Sequence, residues 1–279
     1  MTIIADGFAF LEAPRWHDGR LYFSDMDAGF VFSWHPVDGI QKIVEVVHRP
    51  SGLGWDADGR MLIVSMEDRQ LLRLDEGNLT TVADLSGIAT FHCNDMVVDA
   101  TGGAYIGNFG SNFEGAGAKG LVPAKLTYVA PDGDVRVVAE DLAFPNGAVI
   151  TRDGRTLIIG ESFAAQLTAF DRKEDGSLSN RRVWASVPGR APDGCCLDVQ
   201  GAIWMASPVS NDFIRILEGG EITEVIEVDQ KAIACVLGGD DGRTLFLLTS
   251  KRLARRQNLK LRSARIETRR VTVPSGHSP

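Results

Sequence analysis

The chain has 279 residues, 44% of them hydrophobic and 24% charged, with a formal net charge of −8. It is long enough to bury about 75% of its unfolded surface as a globular protein, and its acidic balance excludes a general nucleic-acid binder, which needs a basic surface to displace counterions. No apolar run approaches the ~18 residues of a membrane span.

The first residues, MTIIADGFAF, lack the basic start and long apolar stretch of a signal peptide. The four cysteines, Cys93, Cys195, Cys196 and Cys235, form no C-x-x-C pair and are too few for a disulfide framework in a chain this long. Reduced thiols in a cytoplasmic protein are the simplest expectation.

In chain order, a β-rich start, TIIADG, precedes the first of six similar segments. These are PRWHDGRLYFSD, GLGWDADGRMLIVSM, DMVVDATGGAYIGNF, GAVITRDGRTLIIGES, GCCLDVQGAIWMAS and IACVLGGDDGRTLFLLTS. Each reads as apolar strand, tight turn, apolar strand, with turn glycines at Gly19, Gly59, Gly102, Gly154, Gly201 and Gly242. Glycine tolerates the positive φ that such hairpin turns require. Second hairpins follow, as in QLLRLDEGNLTTVAD, AKLTYVAPDGDVRVVAED and LTAFDRKEDGSLSNRRVWAS. Two hairpins make four strands, and a repeat of roughly 40–50 residues is the size of one propeller blade. The expectation is an all-β protein, one six-bladed β-propeller domain over residues 1–279. The ring is expected to close by pairing TIIADG with the last strands near ARIETRRVTV. A β-sandwich is the alternative, but it would not explain six regular copies.

Two connections stand out. Residues 108–124, NFGSNFEGAGAKGLVPA, are Gly-rich and read either as a lid over the channel mouth or as an unstructured insertion. The G-x-G-x-x-G string inside it neither follows a strand nor opens a helix, so a dinucleotide site is rejected. Residues 249–263, TSKRLARRQNLKLRS, are strongly basic and read as either a short helix or a charged loop. Over the mouth, this segment would attract an anionic substrate such as a lactone bearing a carboxylate.

In a propeller the first strand of each blade lies nearest the central channel. Aligned on their turns, the six copies place Glu12, Ser51, Asn94, Asn146, Asp193 and Ala234 at the slot that opens this strand, with the first turn counted one residue shorter. Carboxylate and amide oxygens converging on an axis suit a hard divalent cation: Ca²⁺ first, with Zn²⁺, Mn²⁺ or Mg²⁺ as alternatives. Asn146–Gly147 and Asp193–Gly194 are also common turn pairs, so each alone is uninformative. Neither G-x-S-x-G nor H-E-x-x-H is present, which leaves serine-hydrolase and zincin mechanisms without support.

Taken together, LEAPRWHDGRLYFSD, NDMVVDATGGAYIGN, FPNGAVITRDGRTLIIGES and APDGCCLDVQGAIWMAS resemble the gluconolactonase / senescence-marker-protein (regucalcin-like) family from about Glu12 to the C-terminus. The resemblance implies a six-bladed propeller with one divalent cation in the channel and lactonase activity on sugar lactones. It implies cation ligands at Glu12, Asn146 and Asp193, with Asp193 also the general base, and a substrate or water contact at Asn94. One position departs: the arginine expected two residues before Asn94 is His92, either a substrate donor or a structural histidine. The expected function is therefore a metal-dependent hydrolase opening a sugar-lactone-like or carboxylate-bearing lactone, with a small-molecule substrate and no nucleic-acid or membrane partner. The rivals are a phosphotriesterase or fluorophosphatase and a non-catalytic calcium-binding propeller.

Overall fold

A computed structural model describes residues 1–112 and 122–276. The inner strands are short apolar runs buried on both faces, such as β6 (Pro50–Trp55) and β10 (Cys93–Val98). The outermost strands alternate toward solvent and carry charge, as in β17 (Leu178–Ser186) with Arg181 and Arg182, which discourages edge-to-edge pairing. Each inner strand, its two successors and its outer strand make one antiparallel four-stranded sheet.

There are six such sheets among the described residues. Blade 1 is β2 (Leu11–His17) to β5 (Gly39–Glu45), and blade 2 runs from β6 to β9 (Asn78–Asp84). Blade 3 runs from β10 to β13 (Val135–Leu142), and blade 4 from β14 (Pro145–Ile150) to β17. Blade 5 is β18 (Cys195–Leu197) to β21 (Ile222–Glu227). Blade 6 contains β22 (Lys231–Gly238), β23 (Thr244–Ser250) and β24 (Ala264–Arg270), and its fourth strand is β1 (Thr2–Phe8). β1 pairs antiparallel to β24 with Thr2 opposite Thr268, so the ring closes through the N-terminal strand as the sequence predicts. The protein is a six-bladed β-propeller.

Six apolar clusters each straddle one blade boundary. Leu53 and Ile63 pack against Val31 between blades 1 and 2, and Phe246 and Leu248 pack against Leu21 and Phe23 between blades 6 and 1. The remaining four boundaries are filled in the same way. Burial at about 25 cal/mol per Å² of apolar surface makes these seams the main source of cohesion in the ring. The basic segment resolves into about two helical turns, α1 (Arg255–Leu261), between β23 and β24. Residues 113–121 of the Gly-rich connection, to which the lid reading was attached, lie outside the described residues.

Candidate functional site

The slot is built by a bulge repeated in every inner strand. Cys93 pairs with Asn108 and Met96 with Ile106, so β10 carries one more residue than its partner, with Asn94 and Asp95 inside the bulge. Ser51 and Gly52 occupy the same place in β6, and Asn146 and Gly147 in β14. In blade 5, Asp193 and Gly194 both bond to Ala206, through Asp193 N–H to its carbonyl and Gly194 C=O from its N–H. A bulge bends its strand and re-aims a side chain, which turns these residues toward the axis. The glycines let neighbouring strands meet: a Cβ on Gly147 would lie 2.6 Å from the Asp193 carbonyl oxygen.

Two slots differ from the sequence alignment. In blade 6 the bulged residue is Ile233, not Ala234, because Ala232 pairs with Thr249 and Ala234 with Leu248. The Gly194 N–H donates to the Ile233 carbonyl, which fixes that residue beside Asp193. In blade 1 the bulge holds Ala13 and Pro14, and Glu12 lies one residue earlier, opposite Ser24. The loop between β2 and β3 (Arg20–Asp25) is only Asp18–Gly19, with φ of 46° and 74°, a two-residue turn of the primed kind. Before its turn glycine it has one residue, against three in the loop after β6, so counting from the turn misplaced Glu12 by one. Ala13 adopts φ 48°, a left-handed conformation uncommon for alanine, and the Glu12 carboxylate accepts its N–H at 3.2 Å.

Glu12 and Asp193 are both buried and interact. Burial, then the charges of Asp193 and Asp95, push the Glu12 carboxyl well above the usual carboxylate range. Burial pushes the Asp193 carboxyl up to about 8, with Asp95 adding and the Asn146 side chain opposing. Asn146 Nδ2 donates to Ser162 Oγ at 3.3 Å, and that hydroxyl donates to the Pro192 carbonyl at 2.6 Å, which fixes the amide. Asn94 Nδ2 donates to the Pro145 carbonyl at 3.3 Å, tying its slot to the next blade. Three slot oxygens, Ser51 Oγ, Asn146 Oδ1 and Asp193 Oδ1, are buried without a hydrogen-bond partner. Orphaned buried oxygens at one place are unusual and call for a ligand. Thus the structure brings Glu12, Asn94, Asn146 and Asp193 to one end of the channel. Among the described residues no group of three or more His, Cys, Asp or Glu side chains is placed to hold a metal, so any cation here depends on amide oxygens as well as the two acids.

The sequence reading missed two participants. Asp95, buried beside Asn94, accepts a hydrogen bond from Arg15 at 2.6 Å, and Arg15 also donates to the carbonyls of Met96 and Pro14. This ion pair joins blades 1 and 3 across the channel. The dipeptide Asn94–Asp95 was visible, but nothing local revealed that Arg15 reaches it. His92 lies at the rim, its ring stacked on Phe91 at 4.0 Å and 19° and tilted toward Phe109 at 6.1 Å.

Above the slot, α1 lies over blades 1 and 2. Asn258, fully buried, donates to Asp27 at 2.9 Å, and Asp27 also takes Arg49. Arg255 pairs with Glu67 at 3.0 Å, and Arg262 donates to the Gly7 carbonyl at 2.9 Å. Two of the segment's six basic side chains, Arg255 and Arg262, are thereby engaged by the rim. Elsewhere, a cleft of about 480 Å³ on the turn side of blades 1 and 6 is lined by Trp16, Trp34, Phe246, Asp241 and Arg270. It touches none of the slot residues. Among the described residues no helix is long and apolar enough to cross a membrane.

Comparison with known proteins agrees with this architecture. The family model for the SMP-30/Gluconolactonase/LRE-like region matches residues 10–251. Regucalcin of Danio rerio is 26% identical over 254 residues, covering 86% of this chain and 82% of that protein. The lactonase drp35 of Staphylococcus saprophyticus is 26% identical over 206 residues, covering 67% of this chain and 60% of that enzyme's length. Among solved structures, a luciferin-regenerating enzyme superposes with a TM-score of 0.84 at 18% identity, covering 98% of this chain and 96% of that one. At that identity the likeness is one of fold.

Proposed function

The chain belongs to the SMP-30/gluconolactonase/LRE-like family, and from that premise we propose that it is a metal-dependent hydrolase that opens lactone rings. The observation that carries this reading is the meeting of two buried acids, Glu12 and Asp193, with the orphaned oxygens of Asn146 and Asp193. Two carboxylates so placed repel, and both are driven toward protonation unless a cation neutralises them. All the donors are hard oxygens, so the residues fit a divalent cation of the Ca²⁺ type, held by Glu12, Asn146 and Asp193. When bound, it supplies positive charge that stabilises the oxyanion developing on the ester carbonyl.

The chain's own groups do the rest. Asp193 takes a proton from the attacking water as its oxygen bonds to the carbonyl carbon. The ring C–O bond then breaks, and Asp193 returns the proton to the departing ring oxygen. Asn94, fixed by its bond to the Pro145 carbonyl, positions the substrate or the water. The inter-blade contacts hold Asn146 and Asp193 so that little reorganisation is needed during the reaction.

The test is hydrolysis of a panel of lactones and one organophosphate by metal-stripped protein, with Ca²⁺, Zn²⁺, Mn²⁺ or Mg²⁺ added back separately. Lactone opening restored by a cation is the expected result. Faster cleavage of the organophosphate would favour a phosphotriesterase. No cation-dependent hydrolysis of any kind would overturn the enzymatic reading.

A further inference from the structure

The basic segment joins β23 to β24, both of blade 6, yet it does not stay over that blade. Asn258 donates to Asp27 of blade 1 at 2.9 Å, and Arg255 pairs with Glu67 of blade 2 at 3.0 Å. The connection therefore reaches from blade 6 across blade 1 to blade 2. Both anchors stand at the slot end of the ring. The Met26 N–H, next to Asp27, donates to the carbonyl of Phe10, two residues before Glu12. The Met66 N–H, next to Glu67, donates to the carbonyl of Arg49, two residues before Ser51. The segment is a strap along one side of the channel mouth, fixed by the fully buried Asn258 amide.

Its charge is out of keeping with the rest of the chain. Six of its side chains are basic and none is acidic, whereas the whole chain carries −8. Lys251, Arg252, Arg256 and Lys260 are exposed and, among the described residues, form no ion pair. An α-helix turns by about 100° per residue, so Arg255, Asn258 and Arg262 share the side that meets the rim, and Arg256 and Lys260 share the opposite one. The acids that hold the strap are themselves answered by bases, Asp27 by Arg49 and Glu67 by Arg255. They leave the four outer cations uncompensated.

A run of charge on a free loop is ordinarily no more than a solvated face. This one is tied down at the mouth of a site. Charges of one sign fixed at the opening of a cleft raise the local concentration of the opposite sign and speed its capture, by about 10–10³-fold. The net charge of the chain would otherwise repel an anion. Glu12 and Asp193 neutralise a divalent cation between them, so the floor of the slot adds little net charge of its own, and the strap sets the sign of the field at the mouth.

We propose that the substrate is an anionic lactone, one whose ring bears a carboxylate or another negatively charged group, and that Lys251, Arg252, Arg256 and Lys260 of the strap draw it to the slot. This rests on the lactonase reading above. The strap acts through its field, so a neutral lactone of the same shape gains nothing from it.

The experiment compares kcat/KM for 5-oxotetrahydrofuran-2-carboxylate and for its primary amide, a neutral lactone of nearly the same shape, under saturating cation. The proteins are the wild type and three double variants: Arg256→Gln with Lys260→Gln, Lys251→Gln with Arg252→Gln, and Arg152→Gln with Lys173→Gln. The last pair removes the same charge from exposed turns at the opposite end of the ring. At low salt the wild type should prefer the carboxylate by about tenfold, the lower end of what electrostatic capture supplies. Each strap variant should cut that preference about threefold, and the opposite-end variant should keep it. Raising NaCl from about 20 mM to about 500 mM should erase most of it, because the screening length then falls below the ~8 Å of physiological salt. Calorimetric titration with the ring-opened dicarboxylate, 2-hydroxyglutarate, reads capture without turnover, and its Kd should rise about threefold in each strap variant. If the wild type opens the amide as fast as the carboxylate at low salt, the substrate class is wrong and the lactonase reading stands. If the preference survives in both strap variants, or falls equally in the opposite-end variant, the strap is not its source. If neither lactone opens but the dicarboxylate binds and loses affinity in the strap variants, the lactonase reading falls and anion capture stands. If neither opens and the dicarboxylate does not bind, both fall.

Discussion

Glu12 and Asp193 come from blades 1 and 5, yet after burial itself the Asp193 charge is the largest influence holding the Glu12 carboxyl well above the usual carboxylate range. Two acids brought together from distant segments, with no described basic side chain bonded to either, form a site whose protonation is tied to what it binds.

Stability of the metal-stripped protein should fall as pH rises. An acid whose pKa is higher in the folded chain than in the unfolded one binds more protons when folded, so raising the pH favours unfolding. For Asp193 the interval runs from the ordinary value of 3.8 up to about 8, and Glu12 acts in the same direction. Between about pH 5 and pH 8, above the range in which acids held low such as Asp99 and Glu161 titrate, the melting temperature without metal should decline, at about 2–4 °C per kcal/mol of linkage. Added Ca²⁺ should raise it most at pH 8. A melting temperature that rises across this interval in metal-free buffer would show that the two acids are not buried together.

Glu12→Gln and Asp193→Asn should differ in kind. The first weakens cation binding, and excess cation should restore much of the rate. The second keeps an oxygen donor but removes the proton acceptor, so kcat should drop about 10²–10⁴-fold and stay low in excess cation. The check is kcat for each variant at saturating cation. Equal recovery by both would remove Asp193 from the role of base.

Arg15→Met should destabilise the ring by about 3–5 kcal/mol, since it leaves the Asp95 carboxylate buried without its partner. Adding Asp95→Asn to that variant should recover most of the loss. Chemical denaturation of the two single variants and the double variant gives the coupling directly. A strictly additive double variant would mean that the 2.6 Å contact carries no net interaction.

Asn258→Ala should free α1 from blade 1. The buried amide to Asp27 is its only described buried anchor, so amide exchange over residues 255–261 should quicken while the blades keep their protection. Unchanged exchange in that segment would show that Arg255–Glu67 and Arg262–Gly7 suffice to hold it.

The fold was legible because the Asp-Gly and related turns recur at a regular interval and each is flanked by apolar runs. Ser51, Asn94, Asn146 and Asp193 were legible for the same reason: they stand at one fixed distance before a turn glycine. Glu12 was found in spite of its register, because a shortened hairpin in blade 1 and the left-handed Ala13 shift it relative to the other blades. Ala234 was one residue from the true slot, since the blade 6 bulge falls at Ile233. The Arg15–Asp95 pair was not legible. It depends on side chains of two non-adjacent blades meeting in the channel, and no local spacing encodes which of them reach one another.

The extra residue in each inner strand separates what the ring offers at its centre from what keeps the ring together. A side chain on a bulge can change without removing a ladder hydrogen bond on either side of it. Ser51 and Ile233 occupy two such positions and carry neither acid nor amide. An inherited scaffold of this kind can acquire, lose or exchange a reactive group at one of six places by a single substitution, so its chemistry can diverge far faster than its architecture.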